Sequence, residues 1–169
     1  EIHERLVGSE MCIRDSWTLY YYCIVTGTCG TATSAVSGAF VTNAATAISS
    51  QATAGQTACI NGTFTSISVT ATGTGTLTYQ WYSNSSASNS GGTIVSGATS
   101  ATYTPAATAT GTKYYYCVVT GTCGTATSSI SGAFVTNAAT AISSQATAGQ
   151  TVCINGTFTS ISVTATGTG

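Results

Sequence analysis

The side chains with the most versatile chemistry in this sequence are its cysteines. Six of the seven recur in pairs spaced 94 residues apart, and the pairs are Cys23 and Cys117, Cys29 and Cys123, and Cys59 and Cys153. Thiols can form disulfides, bind zinc or act as nucleophiles. A zinc site is disfavoured, because the repeats contain no CxxC spacing and no histidine. Disulfide formation in an oxidising compartment is therefore the favoured chemistry.

The spacing favours a bridge between Cys117 and Cys123. Five residues separate them, so they can face each other across a tight turn. Such a bridge closes a short loop worth about 2 kcal/mol, whereas one from Cys59 to Cys117 closes a long loop worth about 4 kcal/mol. Geometry should outweigh this difference in loop entropy. Cys59 precedes the turn signal Asn61-Gly62 and so lies near the foot of the strand that follows, away from the middle of the strand that contains Cys117. Pairing of Cys59 with either other thiol stays open, and one thiol is left over unless neighbouring copies share a bridge.

These spacings arise because the chain is a tandem repeat. Residues 20–75 and 114–169 match at 52 of 56 positions. The period is close to one β-sandwich domain of about 100 residues. We therefore expect a complete copy at 44–137, preceded by the last strands of another copy at 17–43 (the leading partial copy). A further copy begins at 138–169 (the trailing partial copy).

Residues 1–16 differ from the repeats. They contain every charged side chain of the chain except Lys113. The run 5–15, RLVGSEMCIRD, resembles a translated sequencing adapter, so this leader is predicted to be non-native.

The repeats are nearly neutral and lack the clustered Lys and Arg that nucleic-acid binding requires. They also lack a run of 18 apolar residues, so no membrane span is expected in this fragment.

Alternating apolar and polar side chains predict β-strands in the complete copy. The predicted strands are residues 48–59, 63–72, 77–82, 93–95, 100–104, 113–119 and 125–134. The last two should form a hairpin across Thr120-Gly121-Thr122. Because helical periodicity is missing, the expected fold is all-β, a two-sheet sandwich.

Trp81, Tyr115 and Cys117 carry a family resemblance. Their pattern is similar to immunoglobulin-like domains, which have a buried tryptophan on strand C and a corner tyrosine two residues before the strand F cysteine. The usual strand B cysteine is replaced by Ile67 or Val69. More narrowly, TYQWY, IVSGATSATY, YYC and TGTCGTATS resemble the Ig-like repeats of large secreted or cell-surface proteins of Bacteroidetes bacteria. The resemblance implies an adhesin-like bacterial protein, an extracellular or cell-surface location, and neighbouring repeats of the same chain as partners.

The repeats lack the usual catalytic side chains. From Trp17 to Gly169 there is no Asp, Glu or His. General acid–base catalysis and calcium binding both depend on these residue types. We therefore expect no enzyme activity, no cofactor and no metal. The favoured function is a structural or adhesive repeat that acts as a spacer or stalk.

Tyrosines suggest an alternative function. Tyr82, Tyr114 and Tyr116 are predicted to point outward from neighbouring strands, whereas Tyr115 points inward. Outward tyrosines can form a platform for a surface glycan or a partner protein, or a cross-strand ladder that braces the sheet.

Charged side chains normally keep exposed strand edges from pairing with another chain, and the repeats contain only one, Lys113. The chain is therefore also expected to dimerise or aggregate.

Overall fold

The computed structural model describes residues 2–4 and 17–168. All regular structure in these residues is β-strand, so the prediction of an all-β fold is confirmed. In the same part of the chain no helix is long and apolar enough to cross a membrane. The adapter-like run 5–15 lies outside the described residues.

Strands occur in the leader and in all three repeat segments. Those before the complete copy are β1 (Ile2–Glu4), β2 (Trp17–Leu19), β3 (Cys23–Gly27), β4 (Gly30–Thr33) and β5 (Phe40–Thr42). The complete copy contains β6 (Ala47–Gln51), β7 (Gln56–Cys59), β8 (Ile67–Thr72), β9 (Thr78–Asn84), β10 (Thr93–Ile94), β11 (Thr102–Tyr103), β12 (Gly111–Gly121), β13 (Gly124–Thr127) and β14 (Phe134–Asn137). The trailing partial copy contains β15 (Ala141–Gln145) and β16 (Val163–Thr166).

The complete copy folds into two sheets that share one core. The first has the order β10-β9-β12-β14-β7, with β13 also paired to β12, and the second has the order β11-β8-β6. The predicted strand 48–59 is divided between them, with β6 in the second sheet and β7 in the first. The larger buried side chains come from both sheets and their loops, namely Phe64, Ile67, Val69, Trp81, Tyr115, Cys117, Val119 and Phe134. This arrangement is consistent with the predicted sandwich.

The core is rich in aromatic contacts. Trp81 donates from Nε1 to the carbonyl oxygen of Ser100 at 2.9 Å, which satisfies its only polar atom. Its ring lies 5.9 Å from that of Tyr103, on the opposite sheet. Tyr115 contacts both Tyr103, at 5.5 Å, and Phe134, at 5.2 Å and nearly perpendicular. Burial of side chains this large supplies much of the hydrophobic stabilisation.

The hairpin formed by β12 and β13 turns later than predicted. Gly121 and Gly124 are its last paired residues, so Thr122 and Cys123 form a two-residue turn. Gly124 has a φ of 107°, a conformation that glycine adopts at little cost. The predicted turn at 120–122 is therefore wrong, because the glycines flank the turn instead of occupying its centre.

Two buried serines continue the hydrogen bonding along β12 beyond its pairing with β13. Ser128 accepts a hydrogen bond on Oγ from Cys117 N at 2.9 Å and donates from its own N to Cys117 O at 2.8 Å. Ser131 makes the same pair of bonds with Tyr115, both at 2.9 Å. Because these hydroxyls take the place of backbone carbonyls, the predicted strand 125–134 is interrupted after β13.

Two glycines allow β7 and β14 to meet. A Cβ on Gly132 would lie 2.8 Å from Gly55 Cα and 3.0 Å from Thr53 O, closer than packed side chains approach. Gly132 N donates to Thr53 O at 2.7 Å, and the parallel pairing of β7 with β14 begins just beyond. Glycine is required here by close contact of the backbones.

The partial copies reproduce local geometry without the core. The β3–β4 hairpin ends at Gly27 and Gly30, as its counterpart ends at Gly121 and Gly124. The β15–β16 pair repeats the register shift seen in β6–β8. The counterparts of core residues are open to solvent, namely Phe40 (58% exposed), Phe158 (66%) and Ile161 (76%). Such exposed apolar faces favour self-association, which stays a prediction.

Candidate functional site

The complete copy begins at what we call its leading end. Ala44, its first residue, donates from N to Thr74 Oγ1 at 2.8 Å. Thr74 O in turn accepts a hydrogen bond from Thr122 N at 3.2 Å. The turn Thr122-Cys123 therefore lies beside the point where the preceding copy joins.

The complete copy finishes at its trailing end. Asn137, the last residue of β14, lies opposite Cys59, the last residue of β7. Asn137 O accepts a hydrogen bond from Ile60 N at 2.8 Å, so the turn after Cys59 is attached to the point where the next copy starts. Asn61 occupies the left-handed region of this turn, with a φ of 63°.

β12 connects the two ends. Its first residue, Gly111, pairs with Thr136 next to the trailing end. Its last residue, Gly121, packs so close to Thr46 at the leading end that a Cβ would lie 2.6 Å from Thr46 Oγ1. The strand has 11 residues, and at about 3.4 Å per residue it separates the ends by about 34 Å.

The cysteines of the complete copy lie in three separate environments. Cys117 is fully buried in the core, whereas Cys123 is exposed in the turn at the leading end and Cys59 is exposed at the trailing end. The bridge favoured from spacing, Cys117 to Cys123, is wrong for this fold. Gly121 lies four positions beyond Cys117 along β12, about 13 Å away, and Cys123 follows it in the turn. A disulfide requires Cα atoms within about 7 Å. The six cysteines in the described part of the chain are all free.

Burial determines the chemistry of the core thiol. It raises the pKa of Cys117 from 9.0 to about 11, and a hydrogen bond involving the Gln80 backbone opposes the shift. Burial also raises the pKa of Tyr115 to about 12, with a smaller contribution from Tyr103. Both groups are therefore protonated at neutral pH. Since the thiolate is the reactive form, Cys117 is expected to be inert while the fold is intact.

The tyrosines on the outer face of the first sheet form a stack. The rings of Tyr82 and Tyr116 lie 5.0 Å apart and within 5° of parallel. Tyr116 accepts a hydrogen bond on its hydroxyl from Gly92 N at 3.1 Å and is only 5% exposed. Tyr116 therefore lies on the outer face, but the segment at Gly92 covers it and leaves it inaccessible as a platform residue. Its stacking on Tyr82 is consistent with the cross-strand ladder. Tyr82 and Tyr114 are half-buried.

Sequence reasoning missed the polar residues that organise the loops. Asn84 donates from Nδ2 to the carbonyl oxygens of Ser88 and Ser90, and Asn89 donates from Nδ2 to Ser128 O at 3.0 Å. Ser34, the counterpart of Ser128 in the leading partial copy, bonds to Cys23 in the same way. Among residues 18–168, no three His, Cys, Asp or Glu side chains come together.

These features define an all-β repeat domain whose accessible thiols lie at its two ends and not in a cleft. The chain belongs to the family described as a domain of unknown function, DUF8696, whose model matches residues 48–137, more than half of the chain. The matched region lies within the predicted complete copy. No curated protein matches the chain.

Proposed function

We propose that this chain is a non-catalytic spacer or stalk segment, made of immunoglobulin-like repeats, in a large bacterial surface or secreted protein. The observation that carries the proposal is the separation of the leading and trailing ends by the length of β12. A repeat whose ends lie about 34 Å apart lengthens an array with every copy.

The immunoglobulin-like part of the proposal is supported by strand order. The sheets β10-β9-β12-β14-β7 and β11-β8-β6 have the strand succession expected of C′-C-F-G-A′ and E-B-A. Trp81 and Cys117 lie directly opposite each other on adjacent strands, and both face the core. Ile67 and Val69 fill the core where a strand B cysteine would lie.

The non-catalytic part of the proposal is supported by the kinds of side chain available. The repeats contain no carboxylate or imidazole that could accept a proton from a nucleophile. Among the six cysteines that the structure describes, the fully buried one, Cys117, has a raised pKa and so resists ionisation. The alternative, binding of a glycan or protein by exposed tyrosines, has less support because Tyr116 is covered and stacked on Tyr82.

A length series tests the spacer proposal. The chain is lengthened by one and by two further units of residues 76–169, so that every member has the same ends and differs only in complete copies. Under reducing conditions, small-angle X-ray scattering should show the maximum dimension rising by about 34 Å with each unit. Growth with only the cube root of mass, as for a compact particle, would contradict the proposal.

A binding assay on the same proteins tests the alternative function. A glycan array and a Tyr82→Ala variant separate a tyrosine platform from a spacer. Glycan binding that is lost in Tyr82→Ala while the unfolding midpoint remains measurable and cooperative would favour the alternative. We expect no such binding.

A further inference from the structure

The exposed cysteines of the complete copy lie at opposite ends of it. Cys123 is in the turn at the leading end, and Cys59 is at the trailing end. Cys117 is buried and separated from both. Each copy therefore presents one accessible thiol toward the copy before it and one toward the copy after it.

The hydrogen bonds at the two ends put Cys59 of one copy and the counterpart of Cys123 in the next copy beside the same junction. Cys59 lies opposite Asn137, at the spacing of neighbouring strands, about 5 Å. The next residue, Ala138, donates from N to Thr168 Oγ1 at 3.2 Å, as Ala44 does to Thr74. In the complete copy it is the counterpart of Thr168, namely Thr74, that holds the turn containing Cys123.

We infer that consecutive repeats are joined by a disulfide from Cys59 of one copy to the counterpart of Cys123 in the next. The inference rests on the tandem arrangement in the proposed function. It accounts for three cysteines in each copy, since one is buried and every junction receives two. A disulfide needs Cα atoms about 4.4 to 6.8 Å apart, so the bridge would also select one angle between neighbouring copies.

Local geometry presents both thiols without help from the core. Cys29 lies in the same two-residue turn of the leading partial copy, between Gly27 and Gly30, and is exposed. Cys153 of the trailing partial copy is also exposed, and its O accepts a hydrogen bond from Gly156 N at 2.9 Å. Cys59 O accepts the same bond from Gly62 N at 2.8 Å. These two turns therefore form even where most of the copy is missing.

The bridge requires an oxidant, which we take to be a small-molecule disulfide such as glutathione disulfide. One cysteine thiolate attacks a sulfur of that disulfide, forms a mixed disulfide and releases one glutathione. The second cysteine thiolate then attacks the protein sulfur and releases the other glutathione. Two protein thiols are oxidised, one glutathione disulfide is reduced, and the two protons leave on the two glutathiones.

The chain lengthened by one unit of residues 76–169 provides the test. It contains Cys59 followed by a complete second copy, whereas the 169-residue chain lacks that partner. After treatment of dilute protein with glutathione disulfide and removal of the reagent, the lengthened chain should lose two free thiols. Peptide mapping without reduction should join the Cys59 peptide to the second copy's turn peptide.

Matched controls make the result decisive. The lengthened Cys59→Ser variant and the 169-residue chain should form no such linked peptide. Resistance of Cys117 to iodoacetamide shows in each sample that the copy is folded. If the lengthened chain is folded and keeps both thiols, or if Cys59 is found joined elsewhere, the inference is overturned. The scattering series is recorded under reducing conditions, so failure of the bridge is distinguishable from failure of the spacer proposal.

Discussion

Cys117 lies directly opposite Trp81 across β12 and β9, and the two side chains are 0% and 3% exposed. The thiol therefore serves as a small apolar core residue beside the largest side chain of the domain. This position explains why the most deeply buried cysteine is also the one least suited to a bridge.

The first prediction concerns the reactivity of Cys117. Because burial raises the pKa of its thiol to about 11, only a very small fraction is ionised at pH 8. Iodoacetamide should modify Cys59 and Cys123 in the native protein but modify Cys117 only in denaturant. Tandem mass spectrometry of chymotryptic peptides measures this, because fragment ions locate the label on Cys117 or on Cys123 within one peptide. The half-buried counterpart Cys23 should react at an intermediate rate, and equal rates at Cys117 and Cys123 would contradict the fold.

The second prediction concerns alkaline stability. A thiol whose pKa is 9.0 when unfolded and about 11 when folded favours the fold below pH 9, and this contribution is lost as the pH rises toward 11. Tyr115 acts in the same direction between pH 10 and about 12. The urea midpoint should therefore fall steeply above pH 9. In Cys117→Ala the fall should begin about one pH unit later, where Tyr115 starts to titrate. An unchanged onset would contradict the assignment.

The third prediction uses the repeat as its own control. Phe134 is 1% exposed between Phe64 and Tyr115, whereas its counterpart Phe40 is 58% exposed. Phe134→Ala should lower the free energy of unfolding by about 3 to 5 kcal/mol through lost burial and the cavity left behind. Phe40→Ala should change it by less than about 0.5 kcal/mol. Urea unfolding followed by tryptophan fluorescence measures both, and similar losses would contradict the core described above.

The fourth prediction tests the contact between β7 and β14. Gly132→Ala places a methyl group against the backbone of Gly55 and Thr53, so the strands must separate or the pairing must be lost. The cost should be about 2 kcal/mol or more, in the range of overpacked sites. Its counterpart, Gly38→Ala, meets nothing within 4 Å and should be nearly neutral. Thermal unfolding by circular dichroism compares the two, and a harmless Gly132→Ala would show that the strands are not in contact.

Much of the fold could be predicted from alternation. In β8, Ile67 and Val69 are buried while Ser68 and Thr70 are exposed, as the period of two requires. The β12–β13 turn was predicted at 120–122 but lies at 122–123, because a stretch with several glycines offers more than one turn position of similar cost. The break after β13 was also missed, since it depends on Ser128 and Ser131 bonding across the sheet in place of the backbone.

The candidate sites were less predictable because they depend on contacts distant in sequence. The exposure of Tyr116 depends on Gly92, which lies 24 residues earlier and covers its hydroxyl. The relation between Cys117 and Cys123 depends on which residues form the turn. Spacing alone could not reveal that Cys117 is buried in the core while Cys123 is exposed in the turn at the leading end.

The parallel pairing of β7 with β14 has a mechanical consequence. β14 leads directly to the trailing end, and its residues 134–137 are paired with 56–59. A force that pulls neighbouring copies apart acts on β14 along the strand axis. This axis runs across the direction of the hydrogen bonds that join β14 to β7. Those bonds are then loaded together in shear and must break together. A copy should therefore unfold abruptly at one high force instead of losing its hydrogen bonds one after another.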